Sequence, residues 1–193
     1  AGGTLIRPNE FGELAGTLEI SFARPTPLTL GFAGMVIGVI LYLIWANLIV
    51  TAWSNATNLT DGLDGLAAGV SIFVFGAYTF IAYFQRIQAC TQPDVNRAAC
   101  YSTRDPLDLA IFCAALIGAL AGFLWWNASP AQIFMGDSGS LALGGAMVAF
   151  ALFTRTELLL LVMALIPVLE VFSVIVQKFV FTVSRKRSVA AGG

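Results

Sequence analysis

Long apolar runs separated by short polar segments dominate this chain. The runs cover about Leu28–Ala52, Leu66–Phe84, Leu107–Trp126, Leu141–Phe153 and Leu158–Phe181. A helix needs roughly 17–25 apolar residues to cross a bilayer. The fourth run, taken as about 138–153, is short unless it borrows Gly136–Ser140 or runs tight to the interface, and the fifth is long enough to tilt. The runs are continuous rather than alternating, which favours helices over barrel strands, because lipid cannot satisfy an exposed backbone. The pattern therefore predicts an all-α polytopic membrane protein with five spans in one transmembrane domain covering 1–193. Ala1–Arg24, carrying Glu10, Glu13 and Glu19, reads as a loose segment.

Composition strengthens that reading. Hydrophobic residues make up 58% of the 193 residues and charged residues 11%, with a mean hydropathy of +0.84. A soluble domain carries about 25% charged residues, and no basic excess points to nucleic acid.

Five spans place the polar segments Asn55–Asp64 and Asn127–Asp137 on one side, with the C-terminal tail. Gln85–Pro106 and Thr154–Glu157 fall on the other. Lys178, Arg185, Lys186 and Arg187 mark the first side as cytoplasmic, although Arg86, Arg97 and Arg104 oppose them across the membrane. Cys90 and Cys100 then lie outside, either as a disulfide or as two free thiols. Cys113, inside a span, reads as packing.

Charge now changes the picture. The two cytoplasmic segments carry Asp61, Asp64 and Asp137 and no Lys or Arg. Mg²⁺ is the economical partner for such acids, since it takes one or two carboxylates and fills its other positions with water and phosphate oxygens. Thr60 or Asp61 is expected to cap the second span, with Asp61 and Asp64 sharing a face of its first turn, and Asp137 or Ser138 to cap the fourth. Exposed Phe134 could stack on a flat base or anchor the membrane interface. Glu170, inside the fifth span and close behind Pro167, is either functional or a partner for backbone freed by the proline. Gly118, Gly122, Gly144 and Gly145 read as close helix contacts, and Trp45, Trp53, Trp125 and Trp126 as an interfacial belt.

The stretch Asn-Ala-Thr-Asn-Leu-Thr-Asp-Gly-Leu-Asp-Gly-Leu-Ala at Asn55–Ala67 resembles a signature of the polyprenyl-phosphate N-acetylhexosamine-1-phosphate transferases. So does Phe123–Gly145, with its Pro-Ala-Gln-Ile-Phe-Met-Gly-Asp core. Thr60 and Pro130-Ala-Gln are most similar to the branch that moves phospho-N-acetylmuramoyl-pentapeptide from UDP to undecaprenyl phosphate, giving lipid I and UMP in peptidoglycan synthesis. The resemblance implies that Asp137 binds Mg²⁺ and that Asn55, Asp61 and Asn127 are catalytic, lining the cleft near the diphosphate. It implies that Asp64, Asn58, Gly62 and Leu63 bind substrate and that Phe134 stacks on uracil. It further implies a homodimer in the bacterial plasma membrane with its active site on the cytoplasmic face.

The chain departs from the family in two places. It has no counterpart of the family's adjacent acid pair and, with no histidine, none of its histidine-rich loop. It is therefore expected to cover about the middle half of a ten-span protein and to be inactive alone. Three other readings compete: a sibling that transfers N-acetylglucosamine-1-phosphate, a transporter whose acids coordinate an ion, and a non-catalytic membrane subunit. A transporter would want its acids at the membrane midplane, whereas these cluster at one interface.

Overall fold

A computed structural model describes residues 18–23, 25–30, 34–96, 100–101, 103 and 105–190. Glu10, Glu13, Arg97 and Arg104 lie outside the described residues, as do the side chains of Lys186 and Arg187. The elements run β1 (Glu19–Ser21), β2 (Pro25–Thr29), α1 (Met35–Thr60), α2 (Leu66–Ile87), α3 (Pro106–Asn127), α4 (Gly136–Thr154), α5 (Glu157–Met163) and α6 (Leu165–Ala190). Five of the helices, all but α5, are long and apolar enough to cross a membrane. The protein is an all-α polytopic membrane protein with one small hairpin before its first span.

Three of the expected spans match α2, α3 and α4 to within a few residues, and two need correction. The first begins at Met35 rather than Leu28, because Pro25–Thr29 pairs antiparallel with Glu19–Ser21. It also runs on to Thr60, so Asn55 and Asn58 belong to a helix and not to a loop. The amide of Asn55 donates to Thr51 O at 2.7 Å, which satisfies it within the helix. The fifth span is broken at Ala164 (φ −105°, ψ 46°) into a short α5 and a long α6.

The principal helix contacts are α2 with α3 and α1 with α4, and α6 leans on α1. Phe150 of α4 meets Phe75 and Tyr78 of α2 at ring-centroid distances of 5.7 and 5.9 Å, and Phe112 of α3 at 5.9 Å. Met147, Val148, Ala151 and Cys113 complete this buried centre. The outward faces stay apolar: Ile40 and Leu48 of α1 and Phe172 and Phe179 of α6 are all more than half exposed. Lipid is the medium that makes such exposure favourable.

The small residues divide. A Cβ on Gly144 would strike the backbone of Trp53 and Ser54, so this glycine is a close helix contact, and Gly145 lies near Ser54 Oγ. Gly118 and Gly122 meet nothing within 4 Å, against expectation, and serve no such contact among the described residues. Trp125 and Trp126 are exposed as belt residues, whereas Trp53 is buried in the core. Glu170 is half-buried and makes no hydrogen bond among the described residues.

At the end of the bundle that holds Thr154–Glu157, Cys90 and Cys100 form a disulfide with a Cα–Cα distance of 4.9 Å. There Ser21 N donates to Glu157 Oε2 at 2.9 Å, fastening the hairpin to α5. Gln85 Nε2 donates to Thr154 O at 2.8 Å, and the Thr154 and Thr156 hydroxyls pair at 2.8 Å. Burial raises the pKa of Glu157, partly offset by backbone N–H groups and Arg155. A raised folded-state value means the folded chain binds the proton more tightly than the unfolded one. Its contribution is therefore complete below the ordinary carboxylate range and is lost as pH rises through the folded value. Glu157→Gln, which still accepts from Ser21, should have a thermal midpoint that does not fall over this window. Wild type should match it in acid and drop a few degrees below it near neutral pH; equal midpoints at both pH values would remove the argument.

Candidate active site

The opposite end of the bundle is built from the last turns of α1, the first turn of α4 and the two connections beside them. Thr57 and Thr60 return their hydroxyls to Trp53 O and Ala56 O, both at 2.9 Å, which satisfies these buried groups within α1. The helix closes as Asp61 N bonds Thr57 O and Asn58 O at 3.1 and 3.2 Å. Asp61 is thus the C-cap of α1 and not the N-cap of α2, because Gly65 occupies that place. Gly65 has φ +75°, and an added Cβ would meet Leu124 Cδ1 at 3.3 Å and Ala128 Cα at 3.6 Å. Both the conformation and the close approach require glycine.

Asn58 crosses from α1 to α4. Its Nδ2 donates to Asp137 Oδ1 and to Ser140 Oγ, each at 2.9 Å. Asp137 lies in the first turn of α4 rather than at its cap, since Gly136 at φ +69° already begins the helix. Ser140 is buried, and in the sequence only its spacing of three residues from Asp137 marks it. Asp61 stands close enough to feel the second carboxylate. Its pKa is raised first by burial and then by the negative charge of Asp137.

The connection from α3 to α4 is tied to the turn from α1 to α2. Asn127 Oδ1 accepts from Gly65 N at 3.0 Å, and its Nδ2 donates to Ile133 O at 2.9 Å. Asp64 Oδ2 accepts from Ala131 N at 3.1 Å. The structure therefore joins Asn58 with Asp137, brings Asp61 within the electrostatic reach of that acid, and uses Asp64 and Asn127 to tie the two connections together. Asn55 is exposed and bonded within its own helix. Leu63 and Phe134 project outward, 64% and 72% exposed. An added Cβ on Gly62 would have ordinary room, 3.5 Å from Leu59 O.

A divalent cation fits this arrangement. Two carboxylates repel each other, and neither polar segment supplies a Lys or Arg. Among the described residues no three acids or cysteines gather at one point. The acids at this end are Asp137 and Asp61, and one or two carboxylates are what Mg²⁺ takes from a protein, its other positions going to water and phosphate oxygens.

Residues 14–155 match the profile of glycosyl transferase family 4. The chain belongs to glycosyl transferase family 4. The match covers every candidate site residue from Asn55 to Asp137. Among relatives of this glycosyl transferase family 4 chain is the phospho-N-acetylmuramoyl-pentapeptide-transferase of Beutenbergia cavernae, 52% identical over 180 residues, covering 93% of this chain and 50% of the relative. The protein of the same name from Renibacterium salmoninarum is 58% identical over 168 residues, covering 86% and 46%. That from Paenarthrobacter aurescens is 55% identical over 178 residues, covering 92% and 48%. The chain spans about half the length of the curated relatives it matches.

Proposed function

We propose that the full-length protein transfers phospho-N-acetylmuramoyl-pentapeptide from its UDP nucleotide to undecaprenyl phosphate, releasing UMP and forming lipid I. The observation that carries this reading is the contact of Asn58 with Asp137, which assembles two uncompensated carboxylates at one end of a membrane bundle. The names of the relatives support the choice of substrates.

A phosphate oxygen of the lipid attacks the β-phosphorus of the nucleotide sugar; the bond from that phosphorus to the bridging oxygen breaks, and UMP leaves with the electron pair. Asp137, with Asp61 beside it, would hold Mg²⁺, which when bound supplies positive charge against the diphosphate and the leaving phosphate. Asn58 keeps the Asp137 carboxylate oriented. Exposed Phe134 offers a face to uracil, and Asp64, Gly62 and Leu63 border the place where the uridine would lie. Asn55 stands about one turn before Asn58 on α1 and would line the cleft near the diphosphate, as the family resemblance implies. This end of the bundle is the cytoplasmic one, since α6 runs toward it and carries Arg185, Lys186 and Arg187 near its C-terminal end. The protein would act as a homodimer, as the family resemblance implies.

The test is UMP release by purified full-length protein with undecaprenyl phosphate and Mg²⁺, offered either UDP-N-acetylmuramoyl-pentapeptide or UDP-N-acetylglucosamine. Turnover of the first alone is expected. Turnover of the second alone would assign the protein to the sibling activity, and turnover of neither would end the enzymatic reading.

A further inference from the structure

We propose that Asn127 is a positioning residue whose amide sets where Phe134 stands, with Asp64 as the second tie of the same connection. This rests on the reading of Phe134 as the platform for the nucleotide base. Asn127 is the last residue of α3 and only 4% exposed. A buried amide is tolerated when its hydrogen bonds are made, and here both ends are engaged across the fold.

Its oxygen accepts from Gly65 N, one of the N–H groups that the start of α2 leaves without a helical partner. Its nitrogen donates to Ile133 O. The Ile133 carbonyl belongs to the peptide that links Ile133 to Phe134, so holding that oxygen fixes the plane from which the Phe134 side chain departs. Two residues earlier, Ala131 N is held by the Asp64 carboxylate. The connection is therefore tied at two points to consecutive residues, Asp64 and Gly65, of the turn from α1 to α2.

Packing does not hold the Phe134 ring. It is 72% exposed and makes no ring contact among the described residues. Its position is inherited from its backbone, where Asn127 holds the Ile133 carbonyl and Trp126 O accepts from Gln132 N and Ile133 N at 2.8 and 3.4 Å. With both ends of its amide occupied and its side chain buried, Asn127 acts on the substrate through Phe134 and not by touching the diphosphate.

A double-mutant cycle in the full-length protein tests this. Asn127→Ala should raise KM for the UDP substrate about tenfold while kcat stays within about threefold, the signature of lost binding that is uniform to ground and transition states. Phe134→Ala should do the same, and the double variant should be no worse than Phe134→Ala, because both act through one ring. Effects that multiply, or a fall in kcat at unchanged KM, would overturn the proposal. Hydrogen exchange on the wild-type protein judges the ties without any variant. The amides of Gly65 and Ala131 should exchange slowly; exchange as fast as an open loop would also overturn it. If wild type releases no UMP, the functional reading fails, and the exchange data still decide whether the ties exist.

Discussion

Asp137→Asn in the full-length protein should lower Mg²⁺-dependent UMP release at least about a hundredfold, the scale on which a lost electrostatic contact to a reacting group is felt, while the helices stay assembled. The side-chain carbonyl of Asn can still accept from Asn58 Nδ2, so the bond that joins α1 to α4 is retained. What disappears is the negative charge. Asp61 bears part of that charge's cost, since Asp137 helps to raise its pKa. Relieving the repulsion should leave the thermal midpoint unchanged or slightly higher. Loss of activity without loss of stability is the pattern of a charge kept for chemistry. UMP release within tenfold of wild type would instead make Asp137 a structural acid and would remove the principal support for a metal at this end of the bundle.

The helices were legible where lipid dictates composition. Leu66–Ile87 and Pro106–Asn127 coincide almost fully with uninterrupted apolar runs, because each is bounded by residues that lipid would reject. Errors arose where a local signal was overruled by the helix itself. Asn55 and Asn58 look like loop residues, but the Asn55 amide turns back on Thr51 O within the helix and the Asn58 amide bonds across to α4, so both are satisfied without breaking α1. The break at Ala164 carries no polar or glycine mark, and only Pro167 beyond it hinted at an interruption. The acids of the site were visible as uncompensated charge in short segments. Their partners were not: Asn58 reaches Asp137 across 79 residues, Gly65 reaches Asn127 across 62, and Ser21 reaches Glu157 across 136. Periodicity and capping rules describe neighbours in the chain, and these bonds depend on which helices pack together.

Gly144→Ala should be the most damaging change of a single methyl group in the bundle, and it should disable the site without touching a polar residue. The added Cβ would lie 2.5 Å from Trp53 O and 2.6 Å from Ser54 Cα. Both are backbone atoms of α1, so no rotamer change can relieve the clash; the two helices must move apart. Overpacking of this kind costs about 1–3 kcal/mol, enough to lower the thermal midpoint by several degrees. The same pair of helices carries the bonds from Asn58 to Asp137 and Ser140. Asn58 lies one turn beyond Ser54, and Ser140 one turn before Gly144, so a separation at the contact is passed directly to the site. UMP release should fall with the midpoint, and Asp61 and Asp137 should lose the Asn58 link that gathers them. Gly118→Ala and Gly122→Ala supply the control, because nothing lies within 4 Å of either position. They should keep the wild-type midpoint and activity, or gain slightly from the better helix propensity of alanine. A Gly144→Ala protein with wild-type midpoint and turnover would mean that α1 and α4 do not approach this closely, and the geometry that joins Asn58 to Asp137 would fall with that contact.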